Sequence, residues 1–364
     1  MRISAARQRV PNLRPGSPEL QAHRALRSIG AAAIGRGAGR LMLAAFALIA
    51  VALALSQPLR AKASGKVFVA NEKSSTLTIL DQTGKILQTL ETCARPRGMT
   101  FNPEHTAIYV GCGDDNTIAL YDIATLRLVR RYRNIAAPET FDLHPDGRHL
   151  YISNEDDSEM SVLDVETGEI VARYPTGPEP EGVQITKDGR LAFVASEVAN
   201  LVHVVDLQQQ KHIKDIPVGT RPRRFALTPD NKELWVSTEL SGQVEIIDVE
   251  QLAAKGKVEF QLRAIRRELF TPVDVVITSD GAKAYVALGR ANHVAVINVR
   301  SREVVDYIVV GKRAWGLRLN ADETRLWVAN GLSDDVSIVD TRTNRVLISV
   351  PVGQVPYGIL IDDR

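Results

Sequence analysis

Residues 138–179 read PETFDLHPDGRHLYISNEDDSEMSVLDVETGEIVARYPTGPE, and residues 180–221 read PEGVQITKDGRLAFVASEVANLVHVVDLQQQKHIKDIPVGTR. The second stretch repeats the first in phase. Each begins on a proline and passes an Asp-Gly turn (Asp146-Gly147, Asp188-Gly189). An apolar segment with an aromatic follows (Leu150-Tyr151-Ile152-Ser153, Ala192-Phe193-Val194-Ala195), and then an apolar residue and an acid (Leu163-Asp164, Val205-Asp206). Working outward, the aromatic segment recurs at Val67–Ala70, Ile108–Gly111, Leu234–Ser237, Ala284–Ala287 and Leu326–Ala329. The acid recurs at Asp81, Asp122, Asp164, Asp206, Asp248, Asn298 and Asp340, at intervals of 41, 42, 42, 42, 50 and 42 residues. The proline recurs at Pro96, Pro138, Pro180, Pro222, Pro272 and Pro356, with Ala314 in its place once. Three markers in one phase define a sevenfold internal repeat.

Within each repeat the local signals are β. Val162, Leu163 and Val165, or Val244, Ile246 and Ile247, follow the two-residue period of a half-buried strand. Asp-Gly pairs mark tight turns, and the anchor acid precedes a second turn whose own amides it can accept. Four strands per unit near a 42-residue period predict an all-β, seven-bladed β-propeller. The first repeat opens on a second strand, Val67–Ala70, and the chain ends on an unpaired first strand, Gly358–Ile361. These two fragments are expected to complete one blade and so close the ring.

The repeats resemble the YVTN β-propeller family, whose Tyr-Val-Thr-Asn segment is degenerate here as Tyr109-Val110 and Trp327-Val328-Ala329-Asn330. More narrowly, Gly177–Gly182, Lys232–Ser237, Ala284–Val296 and Val305–Gly316 resemble exported seven-repeat propellers associated with pyrroloquinoline-quinone (PQQ)-dependent alcohol catabolism and its transporter. That resemblance implies a periplasmic setting, with a quinoprotein dehydrogenase or a transporter component as partner. It does not imply PQQ in this chain. The quinoproteins we would compare have eight blades and recurring tryptophan motifs, whereas this chain has three tryptophans. The cofactor is expected on a partner enzyme, and none is expected here.

The N-terminus reads as an address. Leu41–Leu55 is fifteen apolar residues without charge, behind an arginine-bearing stretch and before Ala61-Lys62-Ala63. A positive segment, a short apolar run and a small-x-small site predict a signal peptide over 1–63 and a propeller over 64–364. Fifteen residues are short of the roughly 20 that a spanning helix needs, so no membrane span is expected after cleavage. The whole chain carries a formal charge of +2, but residues 64–364 hold 35 basic against 42 acidic residues. An acidic body argues against nucleic acid, which needs clustered cations. Apolar content of 45% and charged content of 24% exclude a disordered or multi-spanning chain.

Catalytic signatures are missing: no Gly-x-Ser-x-Gly, no His-Glu-x-x-His, no glycine-rich phosphate loop. The seven histidines are scattered, and the acidic runs Asp114-Asp115, Glu155–Asp157 and Asp334-Asp335 lack the spacing of a calcium loop, so no metal is expected. Attention falls instead on the residue after each marker proline, which belongs at the mouth of the central channel. Round the ring it is Arg97, Glu139, Glu181, Arg223, Val273, Trp315 and Tyr357. Varied side chains on a regular scaffold are what a grafted binding site looks like. Arginines suit a carboxylate and aromatics an apolar body, so Arg97, Glu139, Glu181, Arg223, Trp315 and Tyr357 are candidates for binding a small organic acid, an aldehyde or a protein partner.

The reading is a non-catalytic recognition or scaffold propeller. The alternative is a propeller lactonase or hydrolase that uses Glu139 and Glu181 as base or metal ligands. Two further features sit on the same face. Arg263–Phe270 (RAIRRELF) accounts for the one long interval and allows a short amphipathic turn, either idle or a partner contact. Cys93 and Cys112 lie in neighbouring loops, where a disulfide depends on a Cα separation below about 7 Å.

Overall fold

The computed structural model describes residues 63–364, so the signal peptide expected over 1–63 lies, apart from its last residue, outside the described residues. Seven four-stranded antiparallel sheets follow one another along these residues. Blade I combines Lys66–Asn71, Thr76–Asp81 and Ile86–Glu91 with the C-terminal strand Pro356–Ile361. Blades II to VII begin on the innermost strands Pro96–Phe101, Pro138–Leu143, Pro180–Ile185, Pro222–Leu227, Val275–Ile277 and Ala314–Leu319. The fold is thus the all-β, seven-bladed propeller expected, with both ends of the repeat region sharing one blade. That closure is a specific register: Val67 opposite Ile361, Phe68 opposite Leu360, Val69 opposite Ile359.

The local devices match their sequence signals. Asp164 Oδ1 accepts the Glu166 and Thr167 amides at 2.9 and 3.1 Å, and Asp340 Oδ1 accepts those of Arg342 and Thr343 at 3.0 and 2.8 Å. The anchor acids therefore hold turns, which satisfies backbone donors that a strand end leaves unpaired. Apolar residues of the second and third strands pack between adjacent blades. Trp235 joins Val286, Ala295 and Ile297 of the next blade, and Trp327 joins Val67, Val69 and Ile359 across the closing seam. Both tryptophans are core residues, 0% and 1% exposed. Among the described residues no helix is long and apolar enough to cross a membrane.

The insertion takes the amphipathic form expected. It carries a single 3-10 turn, Arg267–Leu269. Leu262 and Ile265 pack on the core between blades V and VI, and Phe270 is buried against it, while Arg263, Arg266 and Arg267 face solvent. Cys93 and Cys112 are disulfide-bonded, with their Cα atoms 5.6 Å apart. The bridge ties the loop into blade II's innermost strand to the end of its second strand, Ala107–Cys112.

Candidate functional site

The loops that lead into six innermost strands end on a residue with left-handed backbone. These are Arg95, Ala137, Glu179, Arg221, Arg313 and Val355, with φ of 54, 38, 52, 63, 58 and 54°. Such a conformation is uncommon outside glycine, and its recurrence shows that the sharp turn is demanded by the repeat. The turn delivers the residue after the marker proline, or after Ala314, to the channel. All seven of those residues meet there as a belt. Tyr357, Trp315 and Val273 pack together, and Tyr357 Oη donates to Glu139 Oε2 at 3.0 Å. Arg97 pairs with Glu139 and, at 3.1 Å, with Glu72. Arg223 pairs with Glu181, Glu197 and, at 2.8 Å, Glu239.

One expectation changes at this point. Arg97 and Arg223 are not open forks awaiting a carboxylate, because buried carboxylates of the protein already hold them. Glu139, Glu181 and Arg223 are only 1%, 3% and 5% exposed. A buried ion stays charged only when partners replace its water, and the belt supplies those partners internally. Burial works against the Arg223 charge, yet Glu181, Glu239 and Glu197 together raise its pKa. Glu139 and Glu181, the base or metal ligands of the hydrolase reading, are likewise committed to Tyr357 and arginines.

Four carboxylates that complete these pairs come from one further register. Glu72, Glu155, Glu197 and Glu239 each follow the last residue of a second strand: Asn71, Asn154, Ser196 and Thr238. Glu72 and Glu239 were invisible to a reading centred on the prolines, although the recurring offset was available. Arg95 bridges Glu139 and Glu155 at 2.8 and 2.5 Å, and Arg221 bridges Glu197 and Glu239 at 2.5 and 3.4 Å. Glu181 and Glu197 both pair with Nη1 of Arg223. Burial first, and then the neighbouring Glu181, push the Glu197 carboxyl up to about 8, while the arginines hold Glu181 low. Glu197 is therefore more readily protonated than an ordinary glutamate, since like charges in one desolvated site oppose each other's ionisation.

Above the belt lies a cavity of about 290 Å³, lined among others by Arg97, Glu181, Arg223, Trp315 and Tyr357. Five of the six site residues expected from sequence thus face it, and Glu139 supports it from beneath. The residue that stands out on its wall is Arg313. Its guanidinium lies 4.4 Å from the centre of the Trp315 ring, whose other near cation, Arg223, is at 5.0 Å. Among the described residues no carboxylate comes within 4.0 Å of the Arg313 side chain. Burial, followed by the repulsion of Arg223 and Arg290, lowers its pKa against the pull of Glu239 and Glu72. Below the belt the channel widens into a second cavity of about 700 Å³.

His203, His212 and Asp215 gather on the outer strands of blade IV with metal-ligand spacing. Their hydrogen bonds disfavour a metal. His203 Nε2 accepts the Gly177 amide at 2.9 Å, so its proton sits on Nδ1, which donates to Asp215 Oδ1 at 2.6 Å. A metal on Nδ1 would move that proton to Nε2, against the Gly177 N–H.

Compared with known proteins, residues 108–225 match the YNCE-like β-propeller family and residues 205–349 match the lactonase, 7-bladed β-propeller family. Each match covers less than half of the chain. No curated protein matches it. Among solved structures, a functionally unknown protein from Desulfotomaculum acetoxidans superposes with a TM-score of 0.71 at 16% identity, covering 82% of this chain and 99% of that one. A proposed 6-phosphogluconolactonase from Bacteroides fragilis gives 0.69 at 15%, covering 82% and 98%. Hydrazine synthase from Kuenenia stuttgartiensis gives 0.64 at 18%, covering 72% and 88%. At these identities the likeness is one of fold.

Proposed function

We propose that this chain is an exported recognition propeller that holds a small organic acid, or the aldehyde that precedes it, in the cavity above the belt. The observation that carries this reading is Arg313. Every other arginine on that wall has a carboxylate partner, whereas Arg313 is fixed on Trp315 and left without one. A guanidinium held flat on an aromatic keeps its edge N–H groups free, and a carboxylate is their natural guest. The volume of about 290 Å³ is at the small end for ligand cavities, which favours a compact molecule. The periplasmic setting and a link to PQQ-dependent alcohol oxidation rest on the sequence resemblance alone. In that setting the acid is the product of the oxidation, PQQ stays with a dehydrogenase partner, and the propeller binds product or presents it to a transporter. Calorimetric titration with benzoate and acetate tests the site. Saturable binding that is lost in Arg313→Gln supports it; equal affinity in wild type and variant, or no binding of any small carboxylate, removes it.

The lactonase reading is favoured by the Glu181–Glu197 pair together with the family match over residues 205–349. A carboxyl that titrates near the working pH is suited to proton transfer. In this reading Glu197, rather than Glu139, is the base that activates water on a lactone carbonyl. A pH-stat assay on gluconolactone decides it: turnover abolished by Glu197→Gln favours hydrolysis, and a rate equal to the buffer blank excludes it.

A further inference from the structure

The belt occupies the first position after each marker proline, or after Ala314. The second position holds Gly98, Thr140, Gly182, Arg224, Asp274, Gly316 and Gly358. Four glycines at one level of a narrowing channel have a steric cause. A Cβ on Gly98 would lie 2.7 Å from the Glu139 carbonyl oxygen, and one on Gly358 would lie 2.7 Å from that of Arg97. Adjacent innermost strands touch backbone to backbone here, so four blades send no side chain inward. The space they leave is the lower cavity of about 700 Å³.

Into that space project two cations without full partners. Arg224 lies with its guanidinium 4.7 Å from the Tyr357 ring centre, on the underside of the belt. Its nearest carboxylate oxygen, on Asp274, is 3.9 Å away. Nε and Nη2 of Arg224 are shielded from bulk water and have no hydrogen-bond partner among the described residues. Asp274 is itself committed, accepting the Val275 and Leu317 amides at 2.9 and 2.8 Å. Two residues further along blade VII, Arg318 lines the same cavity. Its surface is accessible from the cavity although protein surrounds it, and its only bond is Nε to the Ile359 carbonyl at 3.2 Å. Burial lowers its pKa, and the charges of Arg364 and Arg224 add to this against the pull of Asp274 and Asp142. Two further carboxyls line the cavity: Asp142 accepts from Gln184 Nε2 and the Ile185 amide, both at 2.9 Å, Glu323 accepts the Ser279 amide at 2.7 Å, and neither forms an ion pair with these arginines.

We propose that the lower channel is a second binding site, distinct from the upper cavity, which takes a small oxyanion between Arg224 and Arg318. Arg318 is open to this walled space and Arg224 keeps 15% of its side chain accessible, so an anion there would gain charge-assisted donors and relieve the mutual repulsion of the two arginines. Two cations flanked by backbone and polar groups fit an oxygen-rich anion such as a dicarboxylate or a phosphate. A water-filled channel is the competing state, and titration separates the two.

The test is calorimetry on the full chain as purified, with succinate and inorganic phosphate as separate titrants at low ionic strength. With the upper cavity disabled by Arg313→Gln, one saturable site is expected to remain, weakened at least about tenfold when Arg224→Gln or Arg318→Gln is added. Whichever anion binds names the class of guest. Lack of saturation by either anion overturns the proposal, as does an affinity that survives both channel substitutions. Should Arg224→Gln lose its fold through the Tyr357 contact, Arg318→Gln decides alone, since Arg318 makes a single backbone bond. Failure of Arg313 as a carboxylate ligand would leave this result untouched.

Discussion

The Tyr357 hydroxyl donates to Glu139 Oε2 at 3.0 Å, a contact between residues 218 positions apart. It connects the strand that closes blade I to blade III, past blade II. Glu139 is 1% exposed, so its carboxylate depends on Tyr357, Arg97 and Arg95 for everything that water would have supplied. In Tyr357→Phe the ring remains for Arg97 and Arg224, which lie 4.9 and 4.7 Å from its centre, and only the hydroxyl is lost. The expected cost is about 1–2 kcal/mol in urea denaturation, the usual range for one bond to a buried charge. Tyr357→Leu, which also removes the stacking face, should cost more; equality of the two variants would show that the hydroxyl alone matters.

Closure of the ring leads to a second expectation. Deleting 356–364 removes Tyr357, Ile359, Leu360 and Ile361, which are 2–6% exposed, and bares the edge of Lys66–Asn71. At about 2 kcal/mol for each buried apolar side chain the loss reaches roughly 8 kcal/mol, comparable with the whole stability of an ordinary domain. The truncated chain should therefore show no cooperative thermal transition by circular dichroism. A sharp transition at the wild-type temperature would mean that the closing strand is dispensable.

The propeller was legible because its signals are local and repeated: a two-residue period, Asp-Gly turns and one proline per unit. The belt was legible for the same reason, since a fixed offset in seven copies lands on one level of the channel. Partnership was less legible. Nothing near Arg223 in sequence announces Glu181, Glu197 and Glu239, which reach it from blades IV and V. Compensation of that kind is set by radial closure, and it turned two expected ligand-binding arginines into internal ties. Arg313 belongs to the same basic inner loops in the sequence, and its lack of a carboxylate partner among the described residues is visible only once the other arginines of that wall are paired.

The disulfide supplies a third expectation. Cys93 and Cys112 are 19 residues apart, and cross-linking a loop of that length restricts the unfolded chain by about 3 kcal/mol in the chain-entropy account. Cys112→Ser, or wild type with reductant, should lose roughly this much in chemical denaturation. Oxidised and reduced protein should differ while the reduced protein and the serine variant agree. Disagreement between those two would assign the loss to the Cys112 site rather than to the cross-link.

The raised pKa of Glu197 makes stability depend on pH in a defined direction. Glu197 titrates near 8 in the folded chain, above the ordinary glutamate range. Between the unfolded value, about 4.3, and the folded value the native state binds the extra proton, so stability falls as pH rises through that window. The contribution is fully present below about pH 4 and gone above about pH 8. Glu197→Gln mimics the protonated form and still offers a donor to Glu181, so it should match wild type near pH 5. From pH 6 to 9 the variant should become progressively more stable than wild type, read as a widening gap in urea midpoint. Parallel curves across that range would mean that Glu197 ionises normally, and its role as a hydrolytic base would then have to be abandoned.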